Sequence, residues 1–165
     1  MRRMLRWLEI PIHVLLWLGI VAAFLMMMHV TADVTARTVF NSPIEGTTEF
    51  VSAYYMVAVA YLPWAWIARN DGHIRVDVFT IFLPPRAIEW IDIGAKILAI
   101  AYVSFFVWRA TMRAIEQYYA GEVWQAGTKY LAIWPSRWVL PIAGTLMVVY
   151  LVLRVAADVA AAVRR

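Results

Sequence analysis

Cysteine is absent from the sequence, and charged residues make up only 16% of it. The absence of cysteine excludes disulfides, zinc–thiolate sites, iron–sulfur clusters and thiol nucleophiles. Histidine is scarce too, with three in 165 residues. A haem held between facing helices needs histidines on two of them, whereas His13 and His29 share one apolar run and His73 lies between runs. We therefore expect no haem and no other cofactor in this chain.

The sequence also lacks the features of a carrier that works alone. Secondary transporters often combine an inverted repeat with paired, glycine-interrupted helices near the membrane midplane. No such repeat is visible here, and Pro63 has no counterpart in the other half of the chain. A self-contained carrier is therefore not favoured.

What the sequence does contain is mostly apolar. Hydrophobic residues make up 64% of it, and the net charge is +4. This composition is far from that of a soluble domain and indicates a multi-pass membrane protein. The arginines lie at the edges of apolar runs and not in a patch with interleaved aromatics, so membrane lipids are their expected partners and nucleic acid is not.

Four apolar runs are each close to the 20 residues that a helix needs to cross the hydrocarbon core. They predict an all-α membrane protein, with residues 1–165 forming a single four-helix transmembrane domain. The first run is too long and too rich in Leu, Trp and Met for a typical signal peptide, so we expect it to remain as an anchor. The predicted helices cover about 10–32, 43–68, 86–120 and 138–162.

Local signals refine the second and third helices. Ser42-Pro43-Ile44-Glu45 combines an N-cap serine, a first-turn proline and a glutamate at the third position, which predicts the start of helix two. Pro63 removes a backbone hydrogen bond and should kink that helix near its far end. The charge-free core of helix three, Ile97–Trp108, is short, so Lys96 and Arg109 are expected to extend toward opposite interfaces.

Side-chain spacing adds two further expectations. Asp92 with Lys96, and Arg154 with Asp158, are each four residues apart and are expected to pair. The loop before helix four is rich in aromatic residues around Pro135, as in an interfacial aromatic belt. These residues are Trp124, Tyr130, Trp134 and Trp138.

The distribution of lysine and arginine predicts the orientation. Nine of them lie in the N-terminal tail, the loop between helices two and three, and the C-terminal end, whereas four lie in the other two loops. By the positive-inside rule, both termini and the central loop are cytoplasmic.

The central loop carries Gly72-His73-Ile74-Arg75-Val76-Asp77, the most polar part of the middle of the chain. The apolar residues Ile74, Val78, Ile81 and Phe82 favour a short interfacial amphipathic helix between helices two and three. The other interpretation is a turn followed by a basic segment on the membrane surface. In either case, His73, Arg75 and Asp77 are candidates for fixing the loop against headgroups, helix ends or a partner subunit.

Glu49 is the main candidate for an ionisable group inside the membrane. A deep carboxylate would suggest proton or cation coupling, but the predicted helix start places Glu49 near the interface, where it would pair with a neighbour such as Arg37. Both interpretations stay open at this point.

An ordered set of motifs resembles the small permease subunit of tripartite ATP-independent periplasmic (TRAP) transporters, the DctQ-like family. The set extends over nearly the whole chain. It consists of Arg37-Thr38-Val39-Phe40-Asn41, Pro43, Glu49, Gly72-His73-Ile74-Arg75-Val76-Asp77, Leu83-Pro84, Trp134-Pro135 and Pro141 to Gly144.

The resemblance implies a non-enzymatic subunit of the bacterial inner membrane. Its partners would be a large TRAP permease subunit, which holds the substrate and sodium sites, and a periplasmic substrate-binding protein that delivers an organic acid anion. The chain would anchor and scaffold the large subunit and bind no sodium itself. The alternative is a small proton-coupled exporter that acts as an oligomer through Glu49. The candidates for structural or partner-interface roles are Arg37, Glu49, Gly72, His73, Arg75, Asp77, Trp134, Pro135, Pro141 and Gly144.

Overall fold

The computed structural model describes residues 2–70 and 84–162, most of which are helical. Four segments are long and apolar enough to cross a membrane, which confirms the predicted number of spans. The spans are Trp7–Phe40, Thr47–Arg69, Trp90–Ala120 and Trp134–Ala160. The helices are α1 (Arg2–Phe40), α2 (Thr47–Phe50), α3 (Met56–Tyr61), α4 (Trp64–Arg69), α5 (Pro85–Ala120) and α6 (Val139–Ala162), and the strands are β1 (Val123–Ala126) and β2 (Lys129–Ala132).

Helix α1 continues eight residues beyond its predicted end. Its 39 residues make it about 58 Å long, so it must extend past a hydrocarbon core of about 30 Å. The additional turns contain an ion pair of 3.0 Å between Asp33 and Arg37, four residues apart. Asn41, with a φ of 52°, follows the last helical residue, and asparagine tolerates this left-handed conformation better than most residues.

The second span is not one continuous α-helix but consists of several short helical segments. It begins at Thr47 and not at Pro43, so the predicted capping box is wrong: Gly46 precedes the helix with a φ of 82°, and no side chain caps it. A π-helical segment, Val51–Tyr55, follows α2 and was not predicted. The break expected at Pro63 is present, because α3 ends at Tyr61 and α4 begins at Trp64.

The fourth span is the centre of the bundle. It is buried over a larger share of its length than the other three spans. Helix α6 packs against α5 and α4, and its Met147, Tyr150 and Leu151 join Ile12 of α1 and Ala65 of α4 in one buried cluster. The apolar cluster thus ties α1, α4 and α5 to α6.

An unpredicted β-hairpin lies between α5 and α6. Its antiparallel strands pair Trp124 with Leu131 and Gln125 with Tyr130. Gly127 is the first residue of the two-residue turn and has a φ of 61°, as a type II′ turn requires. The predicted aromatic belt residues Trp124 and Tyr130 are therefore strand residues.

The two ends of the bundle differ in what joins the helices. We call one end of the bundle the hairpin end, because the first loop (residues 41–46) meets the hairpin there. We call the opposite end the terminal end. There, an ion pair joins the first part of α1 to the end of α4, and another joins the first part of α5 to the end of α6. The cytoplasmic termini and the interfacial helix stay predictions; Gly72, His73, Arg75 and Asp77 lie outside the described residues.

Candidate functional site

Arg37 neutralises a buried carboxylate at the hairpin end. Asp33 is 6% exposed, and its Oδ1 accepts a hydrogen bond of 2.8 Å from the backbone N–H of Ile44 in the first loop. Arg37 lies 3.0 Å from the same carboxylate. The partner of Arg37 is thus Asp33 and not Glu49. Because a buried charge without a partner is costly, Arg37 allows Asp33 to fix the first loop on α1.

Glu49 lies in the first turn of the second span. It is the third residue of Thr47–Arg69, and its side chain makes no hydrogen bond or ion pair with any residue that the structure describes. A carboxylate in a first helical turn is stabilised by the helix dipole. As the third residue of its span, Glu49 lies near one end of the span and not near the middle.

Glu45 joins the first loop to the hairpin turn. Its carboxylate accepts a hydrogen bond of 2.6 Å from the Thr128 hydroxyl and one of 3.4 Å from the Thr128 backbone N–H. These bonds, with a smaller contribution from Lys129, lower the pKa of Glu45 below its ordinary value. Glu45 thus directs its carboxylate to the hairpin and lies before the first residue of α2, Thr47, so it is not part of a capping box.

Trp134 and Pro135 open a single turn of 3₁₀-helix, Trp134–Trp138, that leads into α6. The Trp134 ring meets the Tyr118 ring edge to face at 5.0 Å, which packs this turn against the end of α5. Arg137 reinforces the same junction with two hydrogen bonds, of 2.9 and 3.1 Å, to the carboxylate of Glu122. The candidates Trp134 and Pro135 therefore shape the connection between α5 and α6.

Pro141 and Gly144 lie where α6 packs against α5. Both are buried, and a methyl group added to Gly144 would overlap Cγ2 of Val107 on α5. Pro141 is in the first turn of α6, where a missing N–H costs little. Gly144 permits the close approach of the two helices, a use of small residues that is common in membrane proteins.

Ion pairs also join the helices at the terminal end. Arg69 of α4 lies 3.3 Å from the Glu9 carboxylate of α1. Lys96 of α5 pairs with Asp158 of α6 at 2.6 Å, across the bundle and not within its own helix, and Arg154 pairs with Asp158 as predicted.

A cleft of about 410 Å³ lies among the second, third and fourth spans beside the hairpin. We call it the arginine cleft, because Arg109, Arg113 and Arg137 all line it. The sequence predicts an interfacial position for Arg109, but it contains no signal that these three residues lie together.

No group of three or more His, Asp or Glu residues within residues 2–70 and 84–162 could hold a metal ion. Asp33, Glu45, Arg69, Lys96 and Arg137 each bond to another helix or loop of the same chain. The arrangement thus fixes helices and loops to one another.

A family model for the DctQ component of tripartite ATP-independent periplasmic transporters matches residues 26–161. The chain belongs to the DctQ family. None of the curated proteins compared with the chain matches it. The match includes the second half of α1 from residue 26 and the whole hairpin, and it covers every residue proposed from the sequence for a structural or partner-interface role.

Several structural residues of this DctQ-family chain were missed by sequence reasoning. Asp33 stands four residues before Arg37, a spacing that could have revealed the pair. The hairpin also had a signal, because Gly127-Thr128 separates two short runs suited to strands. No local sequence signal could have predicted the Glu45–Thr128 bond, since the two residues are 83 positions apart.

Proposed function

We propose that this DctQ-family chain anchors and scaffolds the large permease subunit of a TRAP transporter in the bacterial inner membrane. The observation that carries the proposal is the family match over residues 26–161. In this proposal the large subunit holds the substrate and sodium sites, and a periplasmic binding protein delivers an organic acid anion to it. The chain itself moves no substrate.

The internal contacts of the chain support a structural role. The ion pairs Arg69–Glu9 and Lys96–Asp158 join one helix to another, and Gly144 packs closely beside Val107 of α5. Large apolar side chains meanwhile remain exposed on α1 and α5, among them Trp17, Phe24 and Leu98. Exposed apolar faces of this extent require lipid or another membrane protein as cover.

The position of Glu49 does not favour the alternative function, a proton-coupled exporter. That mechanism requires a carboxylate near the bilayer centre. Glu49 is instead in the first turn of its span.

Copurification and uptake test the proposal. The tagged chain, expressed with a cognate large TRAP permease subunit, should copurify with that larger protein in mild detergent. In proteoliposomes with a sodium gradient, uptake of an organic acid anion should require the chain, the large subunit and the binding protein together. Uptake or proton-coupled efflux by the chain alone would contradict the proposal.

The variant Glu49→Gln separates the two functions further. It retains the shape of the side chain and removes its charge. On the proposed function, sodium-driven uptake by the complete transporter should change less than about twofold, since no transported proton passes through this residue. Proton-coupled efflux by the chain alone that is abolished by Glu49→Gln would support the exporter.

A further inference from the structure

The arginine cleft is charged at one end and apolar at the other. Arg113, Arg137 and Trp124 line its end beside the hairpin, whereas Val57, Tyr61 and Phe106 line it farther along the spans. Its volume of about 410 Å³ is within the range of small-ligand sites. The cleft therefore has room for a ligand that is itself polar at one end and apolar at the other.

The polar end has an excess of positive charge. Arg137 is held by Glu122, and Arg113 is 2.9 Å from Glu116, but neither glutamate lines the cleft. The guanidinium of Arg109 makes no hydrogen bond or ion pair with any residue in the described parts of the chain. The Arg113–Glu116 pair is exposed at both partners, at 69% and 61%, so it is weak and can exchange for another anion.

The position of the cleft matches one leaflet of a bilayer. Arg109 follows the charge-free stretch of α5 and Trp124 lies at the hairpin, so the polar end is at the level of the headgroups. Phe106 is seven residues before Arg113 on the same helix, which is about 10 Å along the axis at 1.5 Å per residue. One leaflet of the hydrocarbon core is about 15 Å deep. The apolar end thus reaches well into the acyl region.

We propose that the arginine cleft binds one anionic phospholipid, such as phosphatidylglycerol. Arg109 and Arg113 contact the phosphate, since the guanidinium fork matches phosphate oxygens. The upper part of an acyl chain lies against Tyr61 and Phe106. A soluble anion would leave the apolar half of the cleft unused, and a zwitterionic lipid would bring a cation to an already positive site. The site belongs to this chain alone and goes beyond its role beside the large subunit.

Native mass spectrometry of the purified, delipidated full chain in detergent tests the site. Dioleoyl phosphatidylglycerol should bind as a single saturable adduct, at least about tenfold more tightly than dioleoyl phosphatidylcholine with the same acyl chains. Millimolar inorganic phosphate should not displace it. Equal affinity for both lipids, or displacement by inorganic phosphate alone, would overturn the proposal.

Two variants test the cleft, one by removing positive charge and the other by filling its volume. Arg109→Gln combined with Arg113→Gln should weaken phosphatidylglycerol binding about tenfold or more. Ala110 also lines the cleft. Ala110→Phe places a large side chain there without changing any charge and should also abolish the single adduct. Helical circular dichroism checks that each variant is folded, so that a failed fold is distinguished from a lost site.

Lys129→Gln is the matched control. It removes one positive charge at the hairpin end, but Lys129 does not line the cleft. Its affinity for phosphatidylglycerol should change less than about twofold. If this control weakened binding as much as the loss of the two arginines, or if the double variant bound normally, the attraction would be a diffuse surface effect and the proposed site would be wrong.

Discussion

The ammonium group of Lys96 lies 2.6 Å from Oδ2 of Asp158, although the two residues are 62 positions apart. The pair joins the start of α5 to the end of α6 at the terminal end of the bundle. Its side chains are 19% and 31% exposed, so solvent only partly screens the charges.

Replacing Asp158 by alanine should destabilise the chain, because Lys96 would lose its carboxylate and keep its partly buried charge. We expect a loss of about 1–3 kcal/mol, measured by thermal unfolding in detergent with tryptophan fluorescence. Glu116→Gln is the control, since it removes an exposed pair with Arg113 and should cost less than about 1 kcal/mol. Equal losses for both variants would show that the Lys96–Asp158 pair has no special role.

Gly144→Ala should destabilise the α5–α6 contact, because the new methyl group would overlap Val107. Overpacking of this kind costs about 1–3 kcal/mol, and the double variant with Val107→Ala should recover part of it. Gly94→Ala on α5 is the matched control: nothing lies within 4 Å of its added methyl group, so the change should be neutral or stabilising. The measurement is thermal unfolding of the wild type and the three variants. An unchanged stability of Gly144→Ala would contradict the packing role.

The link between Glu45 and Thr128 should weaken in acid. The bonds from Thr128 lower the pKa of folded Glu45 below its ordinary value of 4.5. Stabilisation of hairpin docking is therefore fully present above about pH 4.5 and is lost as the pH falls through the lower, folded-state pKa. Hydrogen exchange of the Thr128 amide, corrected for intrinsic rates, should show protection that decreases over this acidic range.

Two variants test that assignment. Thr128→Val removes the hydroxyl donor and should return the pKa of Glu45 toward its ordinary value. Glu45→Gln removes the titrating group, so the pH dependence should disappear. A pH dependence that survives in Glu45→Gln would assign the effect to another group.

Alanine at Arg75 or Asp77 should lower the stability of the complex with the large subunit before it changes substrate affinity. The expectation follows from the sequence, where these residues belong to the most polar stretch between two hydrophobic hairpins. Detergent-resistant copurification and the substrate Kd of the transporter are the two measurements. A change in substrate preference with intact assembly would contradict it.

Features with a local cause could be predicted from the sequence. The four spans follow from apolar runs whose length matches the bilayer. The interruption near Pro63 follows from one missing N–H, and the Arg154–Asp158 pair follows from helical spacing. Each of these signals lies within a few residues of the structure that it predicts.

Features that depend on distant partners could not be predicted in this way. Ser42-Pro43-Ile44-Glu45 has a capping-box pattern, but Glu45 bonds to Thr128 in the hairpin instead. Lys96 has Asp92 one turn away, yet it pairs with Asp158 on another helix. The arginine cleft is assembled from three spans and the hairpin, and no short stretch of sequence contains its pattern.

The central position of α6 has a consequence for biosynthesis. A ribosome completes α6 after the other helices, so α1 and α4 enter the membrane before their shared partner exists. Until Met147, Tyr150 and Leu151 have been added, Ile12 and Ala65 lack three of the seven buried residues of their cluster. The bundle therefore closes only after α6 has been synthesised, and a chain interrupted before α6 would leave inserted helices exposed to quality-control proteases.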